Sequence, residues 1–247
     1  MIKADFFTAK LRYIAENVDT LYVYGAFGAH LREDNYERYL KKYAYNARSD
    51  RKAKIEASLD NCVFGFDCVC LIKSVFWGWD GDLDANYGGA TYKSNDVPDI
   101  GANRMIEECY DVSDDFSTIE IGEFLWMQDH CGVYIGDGLA VECTPLWRDG
   151  VQITSVANLQ NSSNIYNERK WTKHGKLPWV DYSKEPILDD TPAVDTEPPK
   201  IDEIPQVDKE TQISEENPET TPDTISTILE IIGKIIKIIR KIFGAKK

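Results

Sequence analysis

The sequence predicts an α+β fold with an antiparallel sheet, and three observations carry that expectation. Within residues 1–183, helical spacing of apolar residues occupies the first 80 positions; β-type segments separated by Gly/Asp turns follow between 120 and 154; and no internal repeat suggests a solenoid. With 247 residues, 43% of them hydrophobic and 28% charged, the chain can bury a real core in one or two domains.

Residues 5–17 place Phe6, Leu11, Tyr13 and Ile14 at helical spacing, and 34–47 repeats the pattern less cleanly. Cys68, Ile72, Val75, Phe76 and Trp79 recur three and four apart, which predicts a third helix starting after Asp67, a good N-cap. Strand patterns then run through 120–127, 131–136, 139–143 and 151–154. Composition changes after Tyr182. Residues 184–223 hold seven of the 10 prolines, no aromatic residue and a net charge of −10, which predicts an extended, self-repelling acidic linker. Residues 224–247 carry a net +5 beside an isoleucine stripe (Ile225, Ile228, Ile232, Ile235, Ile239), the pattern of a cationic amphipathic helix that would seek an anionic membrane or wall polymer, or self-associate.

The formal net charge of −14 repels phosphate and argues against nucleic-acid binding through a basic footprint. Six scattered cysteines predict reduced thiols and no disulfide framework. The first 16 residues mix charges into a helical pattern, so no signal peptide is expected, nor does any uncharged run approach the ~20 residues that span a bilayer.

Chemistry should reside in 1–183. Cys68 opens its helix, where the macrodipole favours thiolate, the form that attacks carbonyls. That position supports either a nucleophile or a small buried hydrophobe, the role that suits Cys62, Cys70, Cys109 and Cys143. Three histidines are available as base. His30 follows a Gly/Ala-rich turn, His174 sits in a polar run expected to be exposed, and His130 opens a strand whose Gly132 and Gly136 leave space on its own face, where it serves as a base or as a satisfied edge residue. Glu142 lies twelve residues on, across Gly136-Asp137-Gly138. A two-residue loop would pair 136 with 139 and send Glu142 to the opposite face; a three-residue loop, with Gly138 as the left-handed residue, would set Glu142 opposite Gly132 and diagonal to His130. In that register the carboxylate orients the imidazole, a role for which Asp129 is less suited.

Phe-Asp-Cys68 opening a helix, His130-x-Gly-x-Tyr-Ile-Gly-Asp-Gly, and a polar residue twelve positions after the histidine resemble the NlpC-type cysteine peptidase family of peptidoglycan hydrolases. The wider run from Leu21-Tyr-Val-Tyr-Gly to Trp171-Thr-Lys-His-Gly-Lys-Leu-Pro is similar to endolysins of tailed phages infecting Gram-positive gut bacteria. The chain departs from that pattern at Glu142, where the family more often has His, Asn or Gln, and at Asp129, where glycine is usual. The resemblance implies a papain-like fold, Cys68 as nucleophile, His130 as proton shuttle, a tyrosine (Tyr24) supplementing the oxyanion hole, bacterial peptidoglycan as substrate, and residence in the host cytoplasm until lysis releases the protein to the wall. It implies cleavage of a stem or cross-bridge peptide bond, with an N-acetylmuramoyl-L-alanine amidase, or an inert wall-binding module with a membrane-active helix, as the alternatives. Trp77, Trp79, Trp126 and Trp147 are candidates to wall a substrate groove.

No cofactor or metal is expected. Asp80, Asp82, Asp84 and Asn86 alternate like the start of a calcium loop, but Ala85 and Thr91 occupy the positions that need glycine and glutamate. Cys62, Cys68, Cys70 and His130 lack zinc-site spacing.

Overall fold

The computed structural model describes residues 1–159 and 165–183; the expected linker (184–223) and C-terminal helix (224–247) lie outside them. In chain order the elements are β1 (Ile2–Lys3), α1 (Ala4–Asn17), β2 (Thr20–Tyr22), β3 (Phe27–His30), α2 (Tyr36–Lys42), α3 (Ser49–Ala57), β4 (Phe64–Phe66), α4 (Cys68–Phe76), α5 (Ala102–Glu108), β5 (Tyr110–Ser113), β6 (Phe124–Met127), β7 (His130–Gly136), β8 (Leu139–Thr144), β9 (Gly150–Val156), β10 (Glu168–Arg169), β11 (Lys173–Lys176) and β12 (Val180–Asp181). Helices precede the main run of antiparallel strands, so the architecture is mixed and consistent with α+β. Among the described residues no helix is long and apolar enough to cross a membrane.

α1 forms where expected. Its buried face is Phe7, Leu11, Ile14 and Ala15, whereas Phe6 and Tyr13 of the expected pattern point to solvent, and Phe7 stacks on Phe76 of α4 with centroids 4.8 Å apart. The helix expected over 34–47 is shorter: α2 covers only Tyr36–Lys42, and the next helix, α3, starts beyond that span at Ser49. Asn46 is fully buried and turns its side chain inward: its amide donates to the Tyr24 and Tyr39 carbonyls and its oxygen accepts from the Tyr24 N–H, so the chain breaks around it. Every residue of α4 is buried; its apolar residues lie within the main core, and its one charge, Lys73, is paired with Asp99. The helix stops at Gly78, whose φ of 88° is the left-handed conformation that closes helices. Trp79, counted with this helix by its spacing, therefore lies beyond it.

The large sheet has the order β10-β9-β8-β7-β6-β11-β5 and is antiparallel except at the β10–β9 edge. A second sheet, β2-β4-β3, sets Tyr22 level with Phe66, two residues before Cys68. Cys131, Val133, Val141 and Cys143 belong to the core shared with α1 and α4, while Leu125, Ala140 and Trp171 belong to a separate cluster. This alternation is the period of two along each strand.

Candidate active site

Asp67 caps α4 as its type predicts, one carboxylate oxygen accepting from the Cys70 N–H at 2.7 Å. The other accepts from the Gly25 N–H at 2.7 Å, tying the helix start to the chain that leaves β2. Burial, then the negative charge on Cys68, pushes the Asp67 carboxyl up to about 6.

Cys68 follows this cap and interacts with two consecutive residues of β7. A hydrogen bond from the Cys131 thiol, joined by the His130 imidazole and the Val69 N–H, outweighs burial and holds the Cys68 thiol well below the ordinary thiol range. Burial, then the hydrogen bond to Cys68 and the Cys68 charge, push the Cys131 thiol well above the ordinary thiol range, opposite in direction to Cys68. Cys131 was not singled out from the sequence; its place directly after His130 was the available signal.

The β7–β8 hairpin brings the carboxylate to the imidazole by a different turn from the one expected. Asp137 and Gly138, at φ 54° and 72°, form a two-residue loop that pairs Gly136 with Leu139, and an irregularity between Tyr134 and Gly136 then restores the register, so that Glu142 faces Gly132. The bulge supplies the shift assigned above to the loop. His130 Nε2 consequently meets Glu142 Oε2 at 2.7 Å, leaving Nδ1 for the Cys68 side. Burial pulls the imidazole down, but Cys68 and Glu142 together raise it to about 9.

Glu142 is fully buried and held by two further side chains: Thr154 Oγ1 donates to Oε1 at 2.8 Å, and Arg169 places Nε 2.9 Å from Oε1 and Nη2 2.7 Å from Oε2. Burial works against the carboxylate, and the His130 and Arg169 hydrogen bonds more than offset it, lowering Glu142 below its ordinary value. Cys68, His130, Glu142 and Arg169 thus form a chain in which acidic and basic groups alternate. Trp171 stacks flat on the His130 ring, with centroids 5.6 Å apart and planes 10° from parallel. Gly132 makes room for it, since a Cβ there would stand 3.0 Å from the indole.

Other candidates fall elsewhere. Asp129, at φ 63°, is tied to Asn103 through both its N–H and its carboxylate, and Glu142 takes the imidazole. Trp77 and Trp79 are 1% and 2% exposed; their indole N–H groups are spent on the Val97 and Gly28 carbonyls, so both are core residues and not groove walls. Trp126 is half-buried and bonds Asn103, whereas Trp147 is 47% exposed and lies over Arg169 at 4.9 Å. Tyr24 is 47% exposed on a cavity of about 470 Å³ that Asp67 and Cys70 also line. Tyr22 is the more buried tyrosine beside the thiol: burial, then the charges of Cys68 and Asp67, raise its phenol far above the usual range and keep it a neutral donor. Tyr22 precedes Tyr24 on the same face of an extended run, which is the signal that points to it.

His174 is not exposed. It is 1% accessible, with Nδ1 on the Glu123 carboxylate and Nε2 3.0 Å from the Asp115 carbonyl. His30 packs near Phe64 with Nδ1 3.1 Å from the Leu83 carbonyl. Cys62, assigned above to a buried role, is exposed. Among the described residues no group of three or more His, Cys, Asp or Glu side chains is arranged to hold a metal ion. No known protein-family model matches this chain, and no curated protein matches it either.

Proposed function

We propose that the chain is a cysteine-dependent peptidoglycan hydrolase with a papain-like arrangement of helix and sheet, acting as a phage endolysin on a peptide bond of the stem or cross-bridge. The observation that carries the hydrolase reading is the coupling of a helix-start thiolate, Cys68, to an imidazole whose far nitrogen is held at 2.7 Å by a buried carboxylate. Choice of peptidoglycan as substrate rests on the sequence motifs around Cys68 and His130.

In the proposed reaction Cys68 Sγ attacks the amide carbonyl carbon, forming a C–S bond and an oxyanion. The Cys68 backbone N–H, one of the first amides of α4 and so without an intrahelical acceptor, serves as oxyanion donor in this reading, with the Tyr22 phenol, from the same core cluster, as the second. His130 gives its proton to the leaving nitrogen as the C–N bond breaks. A water molecule, deprotonated by the now neutral His130, attacks the thioester, releasing the carboxylic acid and returning the sulfur and imidazole to their starting states. Glu142 fixes the ring and stabilises its cation throughout.

On this proposal the protein accumulates in the host cytoplasm and meets its substrate, the bacterial wall, at lysis; no cofactor takes part and nucleic acid is not a partner. Mass spectrometry of fragments released from purified sacculi tests it. New stem or cross-bridge amine and carboxyl ends, absent with Cys68→Ala, are the expected result. Release of intact stem peptides with a free L-alanine amine would place the protein among the amidases, and no release at all would reject the hydrolase reading.

A further inference from the structure

We infer that Arg51 is a positioning residue of this site: together with Asp149 it fixes the main chain of Tyr22, and through it the phenol that stands beside Cys68. The inference rests on the hydrolase reading of Cys68. Arg51 projects from α3, and its Nη1 donates to both carboxylate oxygens of Asp149, at 2.8 and 2.7 Å. Its Nη2 donates to the Tyr22 carbonyl. Asp149 closes the loop from the other side, its own carbonyl accepting the Tyr22 N–H at 3.1 Å. Both main-chain polar groups of Tyr22 therefore end on this one ion pair.

The side chain of Tyr22 is held as well. The guanidinium lies 5.9 Å from its ring and 5.7 Å from that of Tyr45, and the two rings meet edge to face at 5.9 Å. β2 is only three residues long, so its ladder with β4 constrains Tyr22 weakly against sliding or rotation. Yet Tyr22 stands level with Phe66, two residues before Cys68, and shares a core cluster with that cysteine, so a small displacement there shifts the phenol relative to the thiol, where misplacement by about 1 Å can cost on the order of 100-fold in rate.

Arg51 is 3% exposed, and removing a guanidinium from water carries a penalty of several kcal/mol. Well-packed apolar residues would often stabilise the same place at least as well, so what the buried pair supplies is geometry. Lysine would keep the charge and lose the planar fork that grips Asp149 and Tyr22 together. Lys54, also on Asp149 at 2.6 Å, is half-exposed and makes no bond to Tyr22, which leaves Arg51 as the link.

A double-mutant cycle decides whether Arg51 acts through Tyr22. Full-length wild type, Arg51→Lys, Tyr22→Phe and the double variant are compared by two measurements. One is kcat and KM for fragment release from sacculi; the other is the pH profile of Cys68 alkylation by iodoacetamide, followed by peptide mass spectrometry. Expected are a loss of about 10-fold in kcat for each single variant, with KM changed less than about twofold, and no more than about twofold further loss when Arg51→Lys is added to Tyr22→Phe. The alkylation profile should respond to Arg51→Lys only while the phenol is present. Asp149→Asn provides a second route to the same coupling if Arg51→Lys does not fold. Effects that multiply, or a profile indifferent to Arg51 in both backgrounds, would overturn the inference. A wild-type protein that leaves sacculi intact would reject the hydrolase reading alone, because the alkylation cycle still decides the role of Arg51.

Discussion

Glu142, in β8, and Glu123, immediately before β6, are both buried with a histidine ring nitrogen on the carboxylate, His130 in the first case and His174 in the second. Their surroundings send them in opposite directions. Burial raises the Glu123 carboxyl, and the His174 hydrogen bond only partly offsets it. At Glu142 the same burial is overcome because Arg169 adds a second cation to that of His130. The histidines differ as much. His174 has both nitrogens occupied and Phe116 against its ring, so nothing remains for a substrate or a thiol. His130 keeps 15% side-chain exposure and turns its free nitrogen toward a helix-start cysteine. A buried acid–histidine pair is thus no site by itself. A reactive third group and a path to solvent make one.

The largest effects should separate the two pairs outright. Cys68→Ala and His130→Ala are each expected to lower wall hydrolysis at least about 1,000-fold with circular dichroism unchanged. His174→Ala should instead unfold the protein more easily, by about 3 kcal/mol or roughly 10 °C in Tm, because it strands a buried carboxylate, while activity per folded molecule stays near that of wild type. Loss of hydrolysis in well-folded His174→Ala protein would break the contrast.

Glu142→Gln should cost about 10- to 100-fold, far less than His130→Ala, since an amide still orients the ring. Its signature lies in the pH profile. The raised imidazole contributes stability and the reactive ion pair at pH below its ordinary value, and both are lost as pH rises through about 9. Without the carboxylate that alkaline limb should move down. An unmoved limb would show that Cys68 alone sustains the cation.

Arg169→Met should make Glu142 resemble Glu123, at a cost of about 10-fold in rate. The Glu142 carboxyl is lowered in the folded protein, so its contribution holds above the ordinary carboxylate range and is lost as pH falls through the lowered value. Removing the guanidinium raises that value, and the acid limb should move to higher pH. Activity as a function of pH measures it.

What could be read from the chain beforehand divides along the same line. Cys68, His130 and Glu142 were legible because an N-cap, a strand start and one hairpin are short-range patterns, and even there a bulge performed the register shift assigned to the loop. Arg169 was not. Its strand is two residues long and pairs with Ser155 and Val156 in parallel, an arrangement with no local periodicity. His174 was misread because Lys173 and Lys176 suggest a solvated run, whereas strand alternation exposes Lys173 and buries its neighbour. The α+β class was legible from the segregation of helices and strands, but Asn46, polar and fully buried, broke a helix that periodicity alone would continue.

The smallest effect should come from Trp147, which lies over the Arg169 that anchors the first pair, whereas Phe116 lies against the histidine of the second. Phe116 is 5% exposed, and its truncation should register in stability alone, as should that of the buried Trp77 and Trp79. Trp147 is 47% exposed and contributes little to the core, yet its indole face lies 4.9 Å from the Arg169 guanidinium that anchors Glu142. A contact of that kind at an exposed site is worth about 0.5–1 kcal/mol, which corresponds to roughly two- to fivefold. Trp147→Ala should therefore lower kcat/KM by about that factor, leave Tm nearly unchanged and nudge the acid limb upward in the same direction as Arg169→Met. Trp147→Phe, which keeps a weaker aromatic face, should fall between. If Trp147→Ala raises KM with the pH profile fixed, the indole meets substrate directly and the cover over Arg169 has no part in setting the carboxylate.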